Sequence, residues 1–130
     1  MCFYIDDEHN SDPRIADEDI ICYKVGYRIP MVTPEAEIEV FISEYRDYIY
    51  QLNSKQPELQ LNPMYDIQLG CEVIHQGYHS YPDLTKAKIS ANADQIIVKC
   101  IIPKGSTYYR NTIWCEYVST SLIVTNFLID

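Results

Sequence analysis

The chain has 130 residues and a mass of 15.2 kDa, with 10 basic against 19 acidic residues and a formal charge of −9. A chain of that mass exposes about 7,000 Å² when folded against about 22,000 Å² unfolded, enough burial for one domain with one core. With 47% hydrophobic and 22% charged residues it is no disordered chain. Its acidity excludes non-specific duplex binding, which rests on Lys and Arg neutralising phosphates.

Residues 6–19 hold seven acidic side chains and Pro13 with few large apolar ones, which predicts an acidic exposed loop. Residues 20–25 (IICYKV) are a β-branched and aromatic run before Gly26 and Pro30, and so read as a strand. Thr33-Pro34 then looks like a helix start, with Thr at the cap, Pro at the first helical position and Glu35 and Glu37 in the first turn. Ile38, Phe41, Ile42, Tyr45, Ile49 and Leu52 follow at helical spacing, which predicts one main amphipathic helix over 34–52 laid on a sheet.

Pro57 and Pro63 mark 53–63 as a loop. Residues 71–76 read as a strand closing at Gly77, and 83–93 as a short helix capped by Asp83 or Ser80. Residues 96–102 are a near-continuous apolar strand ended by Pro103-Lys104-Gly105, and 112–118 and 122–129 are two further strand candidates. The expectation is a single α+β domain over 1–130, mostly antiparallel twisted sheet, with 67–129 mainly sheet.

Five cysteines, Cys2, Cys22, Cys71, Cys100 and Cys115, are an odd set without CxxC spacing, His9 stands alone, and His75 and His79, four apart around Gly77, read as a strand and its turn and not as a ligand pair. Reduced, structural thiols and no metal are expected. The N-terminal stretch has no positive n-region with an apolar run, and no window approaches ~18 apolar residues. A cytoplasmic protein without a membrane partner is expected.

Twelve tyrosines are many for this length. Each supplies a flat apolar face and one hydroxyl, suited to stacking a base or to filling a protein interface; β-propensity is the plainer explanation. P-loop, Rossmann and hydrolase-elbow motifs are absent from the sequence.

Gly77-Tyr78-His79-Ser80-Tyr81, a short helix, and then the strand running into Ile102-Pro103-Lys104-Gly105 form one ordered constellation. It resembles the central part of Arg–Ser–Glu ADP-ribosyltransferases, in which an aromatic–x–Ser–Thr–Ser strand precedes a strand ending in a Pro-Lys-Gly turn. Residues 20–24 look like that family's first strand, and Trp114-Cys115-Glu116-Tyr117-Val118 stands near its Glu-x-Glu. The pieces are also similar to small accessory proteins of gut bacteria and their phages, a likeness that implies no particular chemistry.

The resemblance implies an ADP-ribosyltransferase-like fold with one cleft. Lys24, Arg28, Tyr78, Ser80 and Lys104 are the implied ligand-binding residues, Lys99 a further cation, and Glu116 the candidate catalytic carboxylate. Three signature positions differ: Lys24 stands where the family has Arg, Ser80 is alone of the three hydroxyl residues, and Val118 replaces the second Glu. Lys cannot grip a dinucleotide phosphate bidentately as Arg does. These departures imply a binding protein for a nucleotide-derived ligand, without a cofactor, in a phage-type counter-defence or accessory role. A divergent mono-ADP-ribosyltransferase using NAD is the alternative. Another is an interaction or scaffold module whose Tyr-rich surface meets a protein partner or a second copy of the chain.

Overall fold

A computed structural model describes residues 3–5, 12–43 and 48–128. In chain order it contains β1 (Phe3–Tyr4), β2 (Arg14–Ile15), β3 (Ile20–Val32), β4 (Glu37–Ser43), β5 (Ile49–Tyr50), β6 (Met64–Asp66), β7 (Cys71–Ile74), β8 (Tyr78–Ser80), α1 (Leu84–Ser90), β9 (Ile96–Ile102), β10 (Thr107–Asn111), β11 (Glu116–Ser119) and β12 (Ile123–Leu128). The strands pair antiparallel in three sheets, ordered β12-β9-β3-β4-β5, β2-β10-β11-β8 and β1-β7-β6. With one short helix beside them, the class is α+β. No helix among the described residues is long and apolar enough to cross a membrane.

The strand expected over 20–25 runs on to Val32, and its two halves have different neighbours. Ile20 to Gly26 pair with β9, and Gly26 to Val32 pair with β4. Gly26 belongs to both ladders, and a Cβ there would sit 2.2 Å from the Ile42 carbonyl and 2.7 Å from the Phe41 ring. Pro30 does not stop the strand. Tyr23 exchanges N–H and C=O with Tyr81 on the side away from β9. By alternation, position 30 faces the β9 side, where β9 has already ended opposite Gly26. The missing proline N–H therefore leaves no partner without its bond.

The helix expected over 34–52 is not formed: Glu37–Ser43 and Ile49–Tyr50 are strands, and residues 44–47 lie outside the described residues. Glu37-Ile38-Glu39-Val40 alternates polar and apolar, and Ile38, Val40 and Ile42 are β-branched, so period 2 competes with the helical stripe. Thr33 does make the bond expected of a cap, its Oγ1 accepting from Ala36 N at 3.0 Å, but within the β3–β4 hairpin turn. Thr33 N also donates to Ala36 O at 2.8 Å, which closes the turn. The same side-chain bond serves either structure, and seven ladder pairs with β3 decide for the strand.

The five-stranded sheet packs on both faces around the β3–β9 pair. Cys22, Phe41, Val98, Cys100, Ile102 and Val124 pack against Tyr78 and Tyr117 of the four-stranded sheet. On the opposite face Val25 and Ile97 meet Ala87 of α1, with Tyr23, Tyr81 and Leu84 around them. A third cluster joins Val118 and Tyr109 to Phe3, Ile5 and Ile74 of the first strands and β7. Tyr117 and Val118 are adjacent on β11, so they face the two different clusters, and the four-stranded sheet lies between its neighbours.

Other boundaries also differ from expectation. Within 6–19, residues 6–11 lie outside the described residues, while Arg14 and Ile15 pair with β10 and Ala16 is buried. The strand expected over 112–118 is a turn at 112–115 followed by β11. The short helix is α1; Asp83 occupies its N-cap position without a side-chain bond, and Ser80 belongs to β8.

Candidate functional site

β8 is short because Gly77 must precede it. Gly77 has φ +132°, and a Cβ there would lie 2.5 Å from Leu61 Cδ2 and 2.6 Å from Val118 Cγ2. Only glycine permits both the conformation and the approach. The chain then alternates, placing Tyr78 and Ser80 opposite Ser119 and Tyr117, and His79 opposite Val118. Beyond Ser80, the reciprocal Tyr81–Tyr23 bonds of 2.7 and 2.8 Å tie this edge to β3.

An open cleft lies at that junction, with an empty volume of about 850 Å³ counted out to solvent. Lys24 of β3, Tyr50 of β5, Tyr78 to Ser80 of β8 and Glu116 of β11 line it, with Tyr48, Leu59 and residues 75–77. Four residues singled out in the sequence, Lys24, Tyr78, Ser80 and Glu116, are thus brought together. Arg28 and Lys104 are not. Arg28 lies four residues along an extended strand, about 13 Å away from Lys24. It pairs with Glu39 across the β3–β4 ladder, and its guanidinium lies 4.8 Å from the Phe127 ring centroid. Lys104 stands on the exposed turn after β9, where its backbone N–H meets Asp19 Oδ1 at 2.9 Å. Lys99 lies outside the cleft as well.

Tyr78 is placed differently from the stacking platform expected of it. Its ring is 2% exposed, its hydroxyl donates to Pro57 O at 2.6 Å, and burial pushes its pKa upward. It stands edge-on to Tyr48 and Tyr50, with centroids 6.0 and 6.2 Å away. Tyr50 is buried too, and burial raises its phenol still further. The open ring is Tyr48, 38% exposed and 4.7 Å from Tyr50. Ser43 fixes it from both sides, accepting from Tyr48 N at 3.1 Å and donating its own N–H to Tyr48 O at 2.9 Å. The Tyr48 hydroxyl reaches Gln56 Oε1 at 3.2 Å. Sequence reading missed Tyr48 because the helical stripe assigned that stretch its wrong period.

Lys24 donates to the His79 carbonyl, and its Nζ lies 5.6 Å from the Tyr50 ring centroid, so the charge is held in place. Glu116 begins β11 directly after a tight turn. Asn111 Oδ1 accepts from Ile113 N and Trp114 N at 3.0 and 2.9 Å, and Cys115 takes φ +52°. Burial raises the Glu116 carboxyl above its ordinary value, and the positive charge of Lys86 offsets this in part. Ser80 is 3% exposed, and its hydroxyl has no oxygen or nitrogen partner among the described residues.

The polar neighbour of Ser80 is the Cys22 thiol. Cys22 stands directly opposite Cys100 in the β3–β9 ladder, and both are fully buried. Burial alone would raise the Cys22 thiol, but the Cys100 thiol, the Ser80 hydroxyl, the Lys24 charge and the Ile102 backbone outweigh it and hold it below its ordinary value. Cys100 is pushed well up by burial and by Cys22. A thiol closed off from solvent and from the cleft is no nucleophile for a ligand. No group of three or more His, Cys, Asp or Glu side chains among the described residues is arranged to hold a metal ion.

The arrangement offers a fixed aromatic wall, one positive charge, one carboxylate and a buried hydroxyl around a single cleft. Set against known protein families, curated proteins and solved structures, the chain matches none of them.

Proposed function

We propose that this protein is a small non-catalytic binding protein that holds a nucleotide-derived ligand in the cleft between Tyr48, Lys24 and Glu116. The observation that carries this reading is the single cleft lined together by the Tyr48 ring, Lys24, Ser80 and Glu116, with Tyr48 38% exposed. Tyr48 offers its ring to a base, Lys24 a point charge to phosphate, and Ser80 and Glu116 take ribose hydroxyls. The reading supposes an ADP-ribosyltransferase-like arrangement, with the Lys24 strand, the Tyr78–Ser80 strand and the Glu116 strand around one cleft. With Arg28 engaged by Glu39, that arrangement lacks the bidentate grip that transfer from NAD needs. The biological role proposed is a cytoplasmic accessory one, in which a phage-type counter-defence protein removes a nucleotide signal by binding it.

A thermal-shift series with nucleosides, nucleotides, ADP-ribose and NAD tests the reading. A ligand at 100 times its Kd adds about 2.7 kcal/mol, a plain rise in Tm for a chain of this size. Ser80→Ala and Lys24→Met should each reduce the rise. No shift with any of these compounds overturns the proposal. Transfer of labelled ADP-ribose to an acceptor, abolished by Glu116→Gln, would replace it with the transferase reading.

A further inference from the structure

We infer that the free edge of β4 is a docking site for an extended segment of a partner protein, added as a further strand, whose side chains alternate basic and large apolar. This surface shares no lining residue with the cleft, and the inference stands or falls independently of the binding function proposed above.

β9 ends opposite Gly26, so beyond that point β3 and β4 continue as a two-stranded arm. Tyr23 turns its N–H and C=O away from β9, and by alternation Tyr27, Ile29 and Met31 bond to Ile42, Val40 and Ile38 of β4. The N–H and C=O of Glu37 and Glu39 therefore point off the other side of β4. β5 covers that side only opposite Phe41 and Ile42. It goes no further because Asn53 takes φ +58° and gives its N–H to Val124 O at 2.7 Å, which carries the chain off to β12. Among the described residues no backbone group bonds to Glu37 or Glu39 on that side, and both residues are exposed. The arm's other edge is blunted, since Pro30 has no N–H to offer a new strand.

Unpaired N–H and C=O groups on a sheet edge are a template for strand addition, and the two faces then read alternate side chains of the added strand. On one face Met31, Ile38, Val40 and Ile49 line an open cavity of about 660 Å³ counted out to solvent, with Lys55 also at its wall. Partner side chains beside Ile38 and Val40 lie over this cavity and are apolar. Glu37 and Glu39 stand on the opposite face. Arg28 answers Glu39, whereas Glu37 has no cation partner among the described residues. The partner residues across from these two are basic. A second copy of the chain is the wrong occupant: antiparallel β4–β4 pairing would set Glu37 of each copy opposite Glu39 of the other, between chains that each carry −9.

Fluorescence anisotropy with the full chain, near pH 7.5 and at fixed ionic strength, tests the inference with labelled, end-capped seven-residue peptides. The first alternates lysine and isoleucine. The second has the same residues with all lysines before all isoleucines, and the third alternates glutamate and isoleucine. The fourth is the first with its lysine amides N-methylated, which removes the ladder bonds. The alternating lysine–isoleucine peptide should bind at least tenfold tighter than the other three, and its addition should slow NMR solvent exchange at the Glu37 and Glu39 amides. Glu39→Pro, which removes one outward N–H, should weaken binding more than Glu39→Thr, which keeps it. Equal binding of the block or N-methylated peptide reduces the effect to plain charge attraction and overturns the inference. Tighter binding of the glutamate peptide overturns the choice of partner. Binding without slowed exchange at those two amides, or no binding at all, overturns it as well. If the two amides slow as the protein alone is concentrated, with a dimer in sedimentation, the edge belongs to a second copy and the inference falls. The wild-type measurements alone decide among these outcomes, whether or not a variant folds.

Discussion

Gly77 and Glu116 show how single residues set this cleft, one through backbone geometry and the other through charge. With φ +132° and two side chains within 2.6 Å of a prospective Cβ, Gly77→Ala combines backbone strain with overpacking. Each costs on the order of 1–3 kcal/mol, so urea unfolding should show a loss of more than about 2 kcal/mol. Glu116 has a pKa raised in the folded state by burial. The folded protein therefore holds its proton to higher pH than the unfolded chain does, and stability falls as pH rises between the two values. Above both values the carboxylate is ionised at a cost, which Glu116→Gln removes. The variant should melt at a higher temperature than wild type at pH 7, and the difference should close as pH falls below the ordinary value of 4.5. An unchanged gap from pH 4 to 8, followed by calorimetry, would show that burial of this carboxylate is not what separates the two. Tyr78, the tyrosine that the resemblance placed at the ligand, is a buried wedge, and Tyr48 presents the open face.

At the scale of elements, strand pairing overrides periodicity in β4. A helix over 34–52 would put Phe41 and Ile49 on one buried stripe, whereas in the β4–β5 pair Phe41 is fully buried and Ile49 is 48% exposed. Phe41 packs against Gly26 and lies 5.8 Å from the Tyr50 ring. Phe41→Ala should cost about 3–5 kcal/mol, as expected for a fully buried ring. Ile49→Thr should change stability by less than about 1 kcal/mol, since it is half exposed and threonine keeps strand propensity. Denaturant midpoints for the two variants, measured at unchanged m-value, separate the strand from the helix. The stripe misled because Ile and Val satisfy either period when a segment holds several of them, and only the ladder with β3 resolves the tie. By contrast, β9 and β7 were legible, being bounded by turn residues and rich in β-branched side chains. The short helix was legible too, although its ends were not.

Over the whole molecule, burial governs which groups can react. Cys22 and Cys100 are closed inside the main core, whereas Cys71 and Cys115 are partly exposed, and all four are free thiols. Alkylation of the native protein should label Cys71 and Cys115 first and leave Cys22 and Cys100 protected until unfolding, despite the lowered pKa of Cys22. After denaturation without reductant, mass spectrometry should find five labelled cysteines; a fixed disulfide would contradict the reduced state read from their odd count and scatter. A resemblance singled out Lys24, Tyr78, Ser80 and Glu116 together with Arg28 and Lys104, whereas by itself the sequence determined the size, acidity, α+β class, principal late strands and short helix. These are properties of local pattern: β-branched runs, glycine and proline punctuation, and the order of polar residues along the chain. Tertiary structure alone decided that 37–43 is a strand, that Tyr48 and not Tyr78 presents its ring, and that Arg28 turns to Glu39 and Phe127. Each of those outcomes depends on which distant segment lies alongside, and pairing between strands far apart in the chain leaves no periodic mark within either one.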